Sequence, residues 1–98
     1  MHARVFTLQV IPEKMHEFMQ AWHQVILPAA QAQPGWRSAR LLVDRKTGKA
    51  VMVGFWETEA DEAATSAGSA YAEQQAQALA GLLTAPPAIE HYEVAWEA

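Results

Sequence analysis

The segment PGWRSARLLVDRKTGKAVMVGFWETEADEAA, Pro34 to Ala64, constrains the fold more than any other part of the chain. Trp36 to Asp44 reads as a strand rich in branched and aromatic residues, and Asp44-Arg45-Lys46-Thr47-Gly48-Lys49 supplies a polar, glycine-containing turn. Ala50 to Glu57 then returns antiparallel. Side chains alternate along a strand, so Val51, Val53 and Phe55 share one face while Met52, Gly54 and Trp56 share the other. Both faces are apolar. An antiparallel sheet usually keeps one face in water, so a strand buried on both sides needs two covers, helices on one and a partner chain on the other.

The flanking sequence supplies the helices. Ala3 to Ile11 reads as a first strand, and Pro12 sits just inside a following helix, where a missing amide proton does no harm. From Glu13 to about Ala32 the spacing predicts one helix: Met15, Phe18, Met19, Trp22, Ile26 and Ala29 form a stripe opposite Glu13, Glu17, Gln20, Gln24 and Gln31. Pro34-Gly35 ends it. After the hairpin, Thr58 is a natural N-cap, with Asp61 placed to complete a short capping box. Ser66-Ala67-Gly68-Ser69 interrupts this helix, and Ser69 caps a second segment reaching about Ala80, with Tyr71, Ala78, Leu79 and Leu82 on its apolar side. Gly81 to Pro87 reads as a loop, and Ile89 to Trp96 as a last strand.

The resulting order, β-α-β-β-α-β, is the split βαβ or ferredoxin-like arrangement: an α+β fold with a four-stranded antiparallel sheet and its helices on one face. The opposite face, with Val51, Val53 and Phe55, is left bare, and the simplest repair is an isologous homodimer through the sheet faces. A length of 98 residues suits one domain. The formal charge of −4, with no Lys/Arg cluster, argues against a nucleic-acid surface. The absence of cysteine excludes disulfides, thiolate nucleophiles and Cys-based metal sites. The start, MHARVFTLQVIPEK, has no apolar run long enough for a signal peptide or membrane span, so a soluble cytoplasmic protein without membrane partners is expected.

PGWRSARLLVD, the hairpin, VGFWETE before a helix and LLTAPP before the final strand together resemble the antibiotic biosynthesis monooxygenase family of dimeric α+β barrels. The resemblance covers nearly the whole chain and implies a pocket in each protomer between the sheet and its own helices. Some members are cofactor-free oxygenases of phenolic polyketides, some degrade haem, and others have no assigned reaction. Trp56 matches the tryptophan lining the pocket of the quinone-forming oxygenases. The asparagine expected four positions earlier is Met52 here, and the tyrosine expected six positions later is Glu62. No match to the haem-degrading branch survives: its asparagine falls near Phe6, its tryptophan near Thr65 and its haem-contacting histidine near Gln75.

Each candidate site residue has two readings. Trp56 fills core volume or lines a pocket, and Gly54 beside it opens a cavity or lets a helix approach. Trp22 and Met52 join the same expected wall. Gln75, an amide on an apolar helical side, needs a backbone carbonyl, a water or a ligand to satisfy it. His16 and His23 are seven positions apart, without the three-to-four spacing or the acidic partners of a metal site, so no metal is expected. His23 is either a half-exposed residue or a general base at the pocket edge, and His91 and Tyr92 enter the last strand on opposite faces, as pocket residues or edge dressing. Arg40 and Ser38 share a face with Trp36 by alternation, Arg40 pairing with a carboxylate or binding an anion. No phosphate loop, nucleophile elbow or dinucleotide fingerprint is present, so no nucleotide cofactor is implied.

The expected activity is a cofactor-independent oxygenation of a small aromatic or polyketide-like phenol, with His23 or His91 as base. Trp56, Met52, Gly54, Trp22, Gln75 and Glu62 are the expected pocket wall. The alternative of a different class is a ligand-binding or structural dimeric barrel without catalysis.

Overall fold

The computed structural model describes residues 1–98. Four strands, β1 (His2–Gln9), β2 (Trp36–Val43), β3 (Lys49–Trp56) and β4 (Ala88–Glu93), form one sheet in the order β2-β3-β1-β4, with every neighbouring pair antiparallel. Between β1 and β2 lie a 3₁₀ turn (Pro12–Lys14), α1 (Met15–Ala21), a π-helical turn (Trp22–Ile26) and α2 (Leu27–Gln31). Between β3 and β4 lie α3 (Glu59–Ala63) and α4 (Ala70–Leu79). This is the ferredoxin-like α+β arrangement. No helix is long and apolar enough to cross a membrane.

The turn between β2 and β3 forms for local reasons. The Asp44 side chain accepts from the Lys46 and Thr47 amides, and the Gly48 amide donates to the Asp44 carbonyl. Gly48 has φ 81°, and a Cβ there would collide with the Val10 carbonyl, so no other residue closes this turn without strain. The register pairs Met52 with Phe6 on β1 and Leu41 on β2, which gives β3 a continuous apolar row across the sheet. Against that row pack Met15, Phe18 and Ile26 from the first helical stretch, Leu79 from α4 and Leu82 from the turn after it. Phe18, Leu8 and Val10 are fully buried. The other sheet face carries Val51, Val53 and Phe55, each only half-buried, beside an exposed Leu42.

Four expectations change. The first strand ends at Gln9, and Val10 instead makes an isolated bridge to Leu83. The single helix expected from Glu13 to Ala32 is broken by the π turn, in which the Leu27 amide donates to the Trp22 carbonyl five residues back. Pro28 is the physical cause: its nitrogen carries no proton and its ring crowds the carbonyl of the preceding turn, so the ladder widens there. The last strand stops at Glu93, because after the Val94 amide donates to the Met1 carbonyl the tail leaves the sheet and Trp96 is 90% exposed. Finally, β2 bulges between Trp36 and Ser38. Trp36 pairs with Trp56 while Ser38 pairs with Phe55 and Arg40 with Val53, so Trp36 faces the helices, and Ser38 and Arg40 face away from it.

Candidate functional site

The side chains of β1 that face the helices are His2, Arg4, Phe6 and Leu8, whose partners on β3 are Trp56, Gly54, Met52 and Ala50. Arg4 therefore stands between Gly54 on one neighbouring strand and His91 on the other. Gly54 contributes no side chain, and the Trp56 ring fills the vacant position: a Cβ on Gly54 would lie 2.6 Å from Trp56 Cζ3. The guanidinium of Arg4 packs on that indole, 4.8 Å from its ring centroid, with Phe6 at 5.3 Å and Tyr71 at 5.9 Å. Arg4 is 3% exposed.

A cation this deep needs an acid, and α3 provides it. Thr58 caps α3 by accepting from the Asp61 amide at 3.1 Å, and the helix turns Glu62 inward, where it is 2% exposed. Glu62 Oε2 lies 3.5 Å from Arg4 Nη1, and Glu62 Oε1 lies 2.7 Å from His91 Nδ1. The Thr65 hydroxyl donates to the Glu62 carbonyl and the Ser66 hydroxyl to its Oε2. Glu62 thus joins a buried cation to a histidine whose side chain is half exposed. Desolvation holds the Arg4 guanidinium below the ordinary arginine range, with the charge of Glu62 pulling it back up. Desolvation also pushes the Tyr71 phenol up, against the attraction of Arg4.

Two cavities flank this network. The larger, about 830 Å³, lies between α4 and the β1–β4 side of the sheet, with Arg4, Phe6, Gln75, Leu79, Ile89 and His91 on its wall. Ile89, 49% exposed, is a large apolar side chain on this wall. The smaller, about 30 Å³, lies against α2 and the π turn and is bordered by Trp22, Trp36, Met52, Gly54, Trp56 and Tyr71. Arg4, Phe6 and Gln75 border both.

The expected pocket residues are therefore divided. Trp56, Met52, Gly54 and Trp22 surround only the small space, while Gln75 borders both cavities and His91 the larger one. Glu62, expected on the wall, lines neither: Arg4 and His91 stand on the wall and Glu62 holds them from behind. His23, expected at the pocket edge, sits exposed on the π turn and lines neither cavity, and His16 is exposed as well. No three His, Asp or Glu side chains gather as a metal site would require. Arg4, Tyr71 and Trp36 stand at the site although none of them belongs to the expected pocket wall. The available signal for Arg4 is a charge in the alternating apolar row Phe6, Leu8, Val10.

Residues 1–77 match the family model described as antibiotic biosynthesis monooxygenase. Two Mycobacterium tuberculosis proteins, the uncharacterized proteins MT2634 of strain CDC 1551 / Oshkosh and Rv2557 of strain ATCC 25618 / H37Rv, are each 30% identical over 95 residues. The alignment takes in 96% of this chain but 41% of each relative, so the chain spans well under half the length of these curated relatives. Among solved structures, the NE2512 protein of unknown function from Nitrosomonas europaea superposes with a TM-score of 0.81 at 22% identity, over 99% of this chain and 91% of that one. A monooxygenase from the gene ActVA-Orf6 of Streptomyces coelicolor, in complex with nanaomycin D, superposes with a TM-score of 0.77 at 20% identity, over 93% and 84%. At such identities these two share the fold.

Proposed function

The chain belongs to the antibiotic biosynthesis monooxygenase family, and on that premise we propose that it oxygenates a small aromatic or polyketide-like phenol with O2 and no bound cofactor. The observation that carries the reading is the pair His91–Glu62, joined at 2.7 Å and set on the wall of an 830 Å³ cavity that Arg4 also lines. A neighbour of the same fold holds nanaomycin D, which supports a small organic ligand for that cavity.

With its Nδ1 proton donated to Glu62, the neutral His91 ring carries its lone pair on Nε2. Nε2 takes the proton of the substrate hydroxyl, and Glu62 holds the ring in this tautomer and balances the imidazolium that forms. The buried guanidinium of Arg4 favours the phenolate over the phenol, since a cation already fixed in place acts on charge that develops during the reaction. The phenolate passes one electron to O2, giving a phenoxyl radical and superoxide. Their recombination forms a C–O bond and leaves a carbon-bound peroxide anion, which takes back the proton from His91 Nε2. Loss of water, formed from the terminal oxygen, that proton and the hydrogen on the same carbon, leaves a carbonyl. Phenol and O2 become quinone and water.

The half-buried outer face of Val51, Val53 and Phe55 supports a homodimer, with two sheets covering each other.

Oxygen uptake by the full chain, with a panel of phenols and anthrones and no flavin, nicotinamide or metal, tests the activity. Consumption above the uncatalysed background is expected. It should fall at least about a hundredfold in His91→Gln, the lower end of what a positioned acid or base contributes. No consumption with any of the panel would replace the oxygenase reading with that of a ligand-binding or structural barrel.

A further inference from the structure

The small cavity holds an arrangement that proton transfer at His91 leaves unused. Three of its bordering residues, Arg4, Trp36 and Trp56, each carry a fully buried N–H without an acceptor: Nε of Arg4 and Nε1 of both indoles. Arg4 and Trp56 are themselves 3% and 2% exposed. A space of about 30 Å³ is room enough for a water molecule, a diatomic or a small ion. Its occupant must accept hydrogen bonds. Water accepts from two of the three donors and can place its own hydrogens on the side-chain oxygens of Gln75 and Tyr71, which leaves one buried donor unmet. A small anion accepts from all three donors, donates nothing, and gains from the guanidinium charge.

We propose that this cavity holds dioxygen during turnover and stabilises the superoxide formed from it, with Arg4, Trp36 and Trp56 as the donors. The inference rests on the oxygenase reading and deepens it, by giving the second substrate its own site. Neutral O2 is a feeble hydrogen-bond acceptor and superoxide a strong one. Donors already in place therefore favour the state after electron transfer over the state before it, which is the condition for accelerating that step. Because Arg4, Phe6 and Gln75 border both cavities, a phenolate in the large one and O2 in the small one share a wall. One electron crosses it with no proton moving, and superoxide then leaves its donors to form the C–O bond.

Bromide is a suitable probe: stable, monatomic, accepting hydrogen bonds and donating none. Crystals of the full chain soaked in sodium bromide should show anomalous density in the small cavity, within hydrogen-bond reach of at least two of the three nitrogens. In solution, bromide should quench tryptophan emission saturably, and Trp36→Phe and Trp56→Phe should each weaken that binding about tenfold. Trp56→Phe also leaves space in the core; Trp36, only half-buried, is the substitution that keeps the test open should Trp56→Phe fail to fold. An ordered water in the cavity with no bromide, or the same bromide affinity in the folded variants, overturns the proposal. During turnover, bromide should raise the KM for O2 and leave the KM for the phenol unchanged, and the reverse pattern also overturns it. If the unmodified chain consumes no oxygen, the oxygenase reading and the superoxide role fall together, while the bromide titration separately decides whether the three donors hold a small anion.

Discussion

Arg4 and Trp56 face each other across the β1–β3 pair, the guanidinium carbon 4.8 Å from the centre of the indole. The contact exists because Gly54, directly opposite Arg4, has no side chain and leaves its place to the Trp56 ring. A cation that would be intolerable alone in the core is held by an aromatic face and by the carboxylate of Glu62.

Breaking that pair from one side should be far worse than removing it. Glu62→Gln strands a buried cation and should lose about 3 to 5 kcal/mol in urea denaturation. The double variant Arg4→Met/Glu62→Gln should lose less than the sum of the two single changes. Strict additivity would mean that the two groups do not act on each other.

Filling Gly54 should displace the indole. A Cβ there would lie 2.6 and 2.7 Å from two ring carbons of Trp56, and the ring is too buried to swing clear. Gly54→Ala should destabilise by about 1 to 3 kcal/mol and shift tryptophan emission to the red. Unchanged stability together with unchanged emission would show that the ring does not rest over Gly54.

Alkaline pH should weaken the fold through Tyr71. Its phenol is pushed above the ordinary value of 10.0 by desolvation. The folded state therefore keeps its proton after the unfolded chain has lost it. Stability is fully present below the unfolded pKa and is lost as pH rises from there through the folded pKa. Denaturation midpoints should fall above about pH 10, and Tyr71→Phe should remove much of that decline. The Tyr92 phenol is raised too, by its hydrogen bond to Glu90, but it lies at the surface and should contribute little. An identical alkaline decline in Tyr71→Phe would assign it elsewhere.

A charge on the outer sheet face should separate the protomers of the proposed dimer. Val53 sits in the middle of that face, paired with Val5 and Arg40. Val53→Lys would bury an ammonium beside the like charge of Arg40 on assembly and should yield monomer, or unfolded chain, in sedimentation. A well-folded monomer of the unmodified chain at low micromolar concentration would refute the dimer.

The hairpin and the Thr58 cap are legible in the sequence because each depends on a few adjacent residues: Asp44 and Gly48 in one case, Thr58 and Asp61 in the other. The element order follows from them. Pro28 signals a disturbance in the first helix, but whether a kink or a π turn results depends on what the helix packs against. Arg4 is hidden because both alternating sets of β1, one with Phe6 and Leu8 and the other with Ala3 and Val5, are mostly apolar. Only the pairing with β3 decides which set is inward. Glu62 is visible as a departure from the family pattern, yet its task of linking Arg4 to His91 depends on strands and a helix far apart in the chain.

The bulge between Trp36 and Ser38 is one residue of slack, with Arg37 left out of the pairing. An alignment that runs straight through it against an unbulged relative would exchange inside for outside at every position on one side of Arg37. Trp36 would be scored as a surface residue, and a relative with a polar side chain there would look conservative. Deleting Arg37 from the molecule itself would do the opposite: with the extra residue gone, Trp36-Ser38-Ala39 would alternate strictly against Trp56-Phe55-Gly54 and Trp36 would keep its inward place, so the slack can be lost without exchanging the faces.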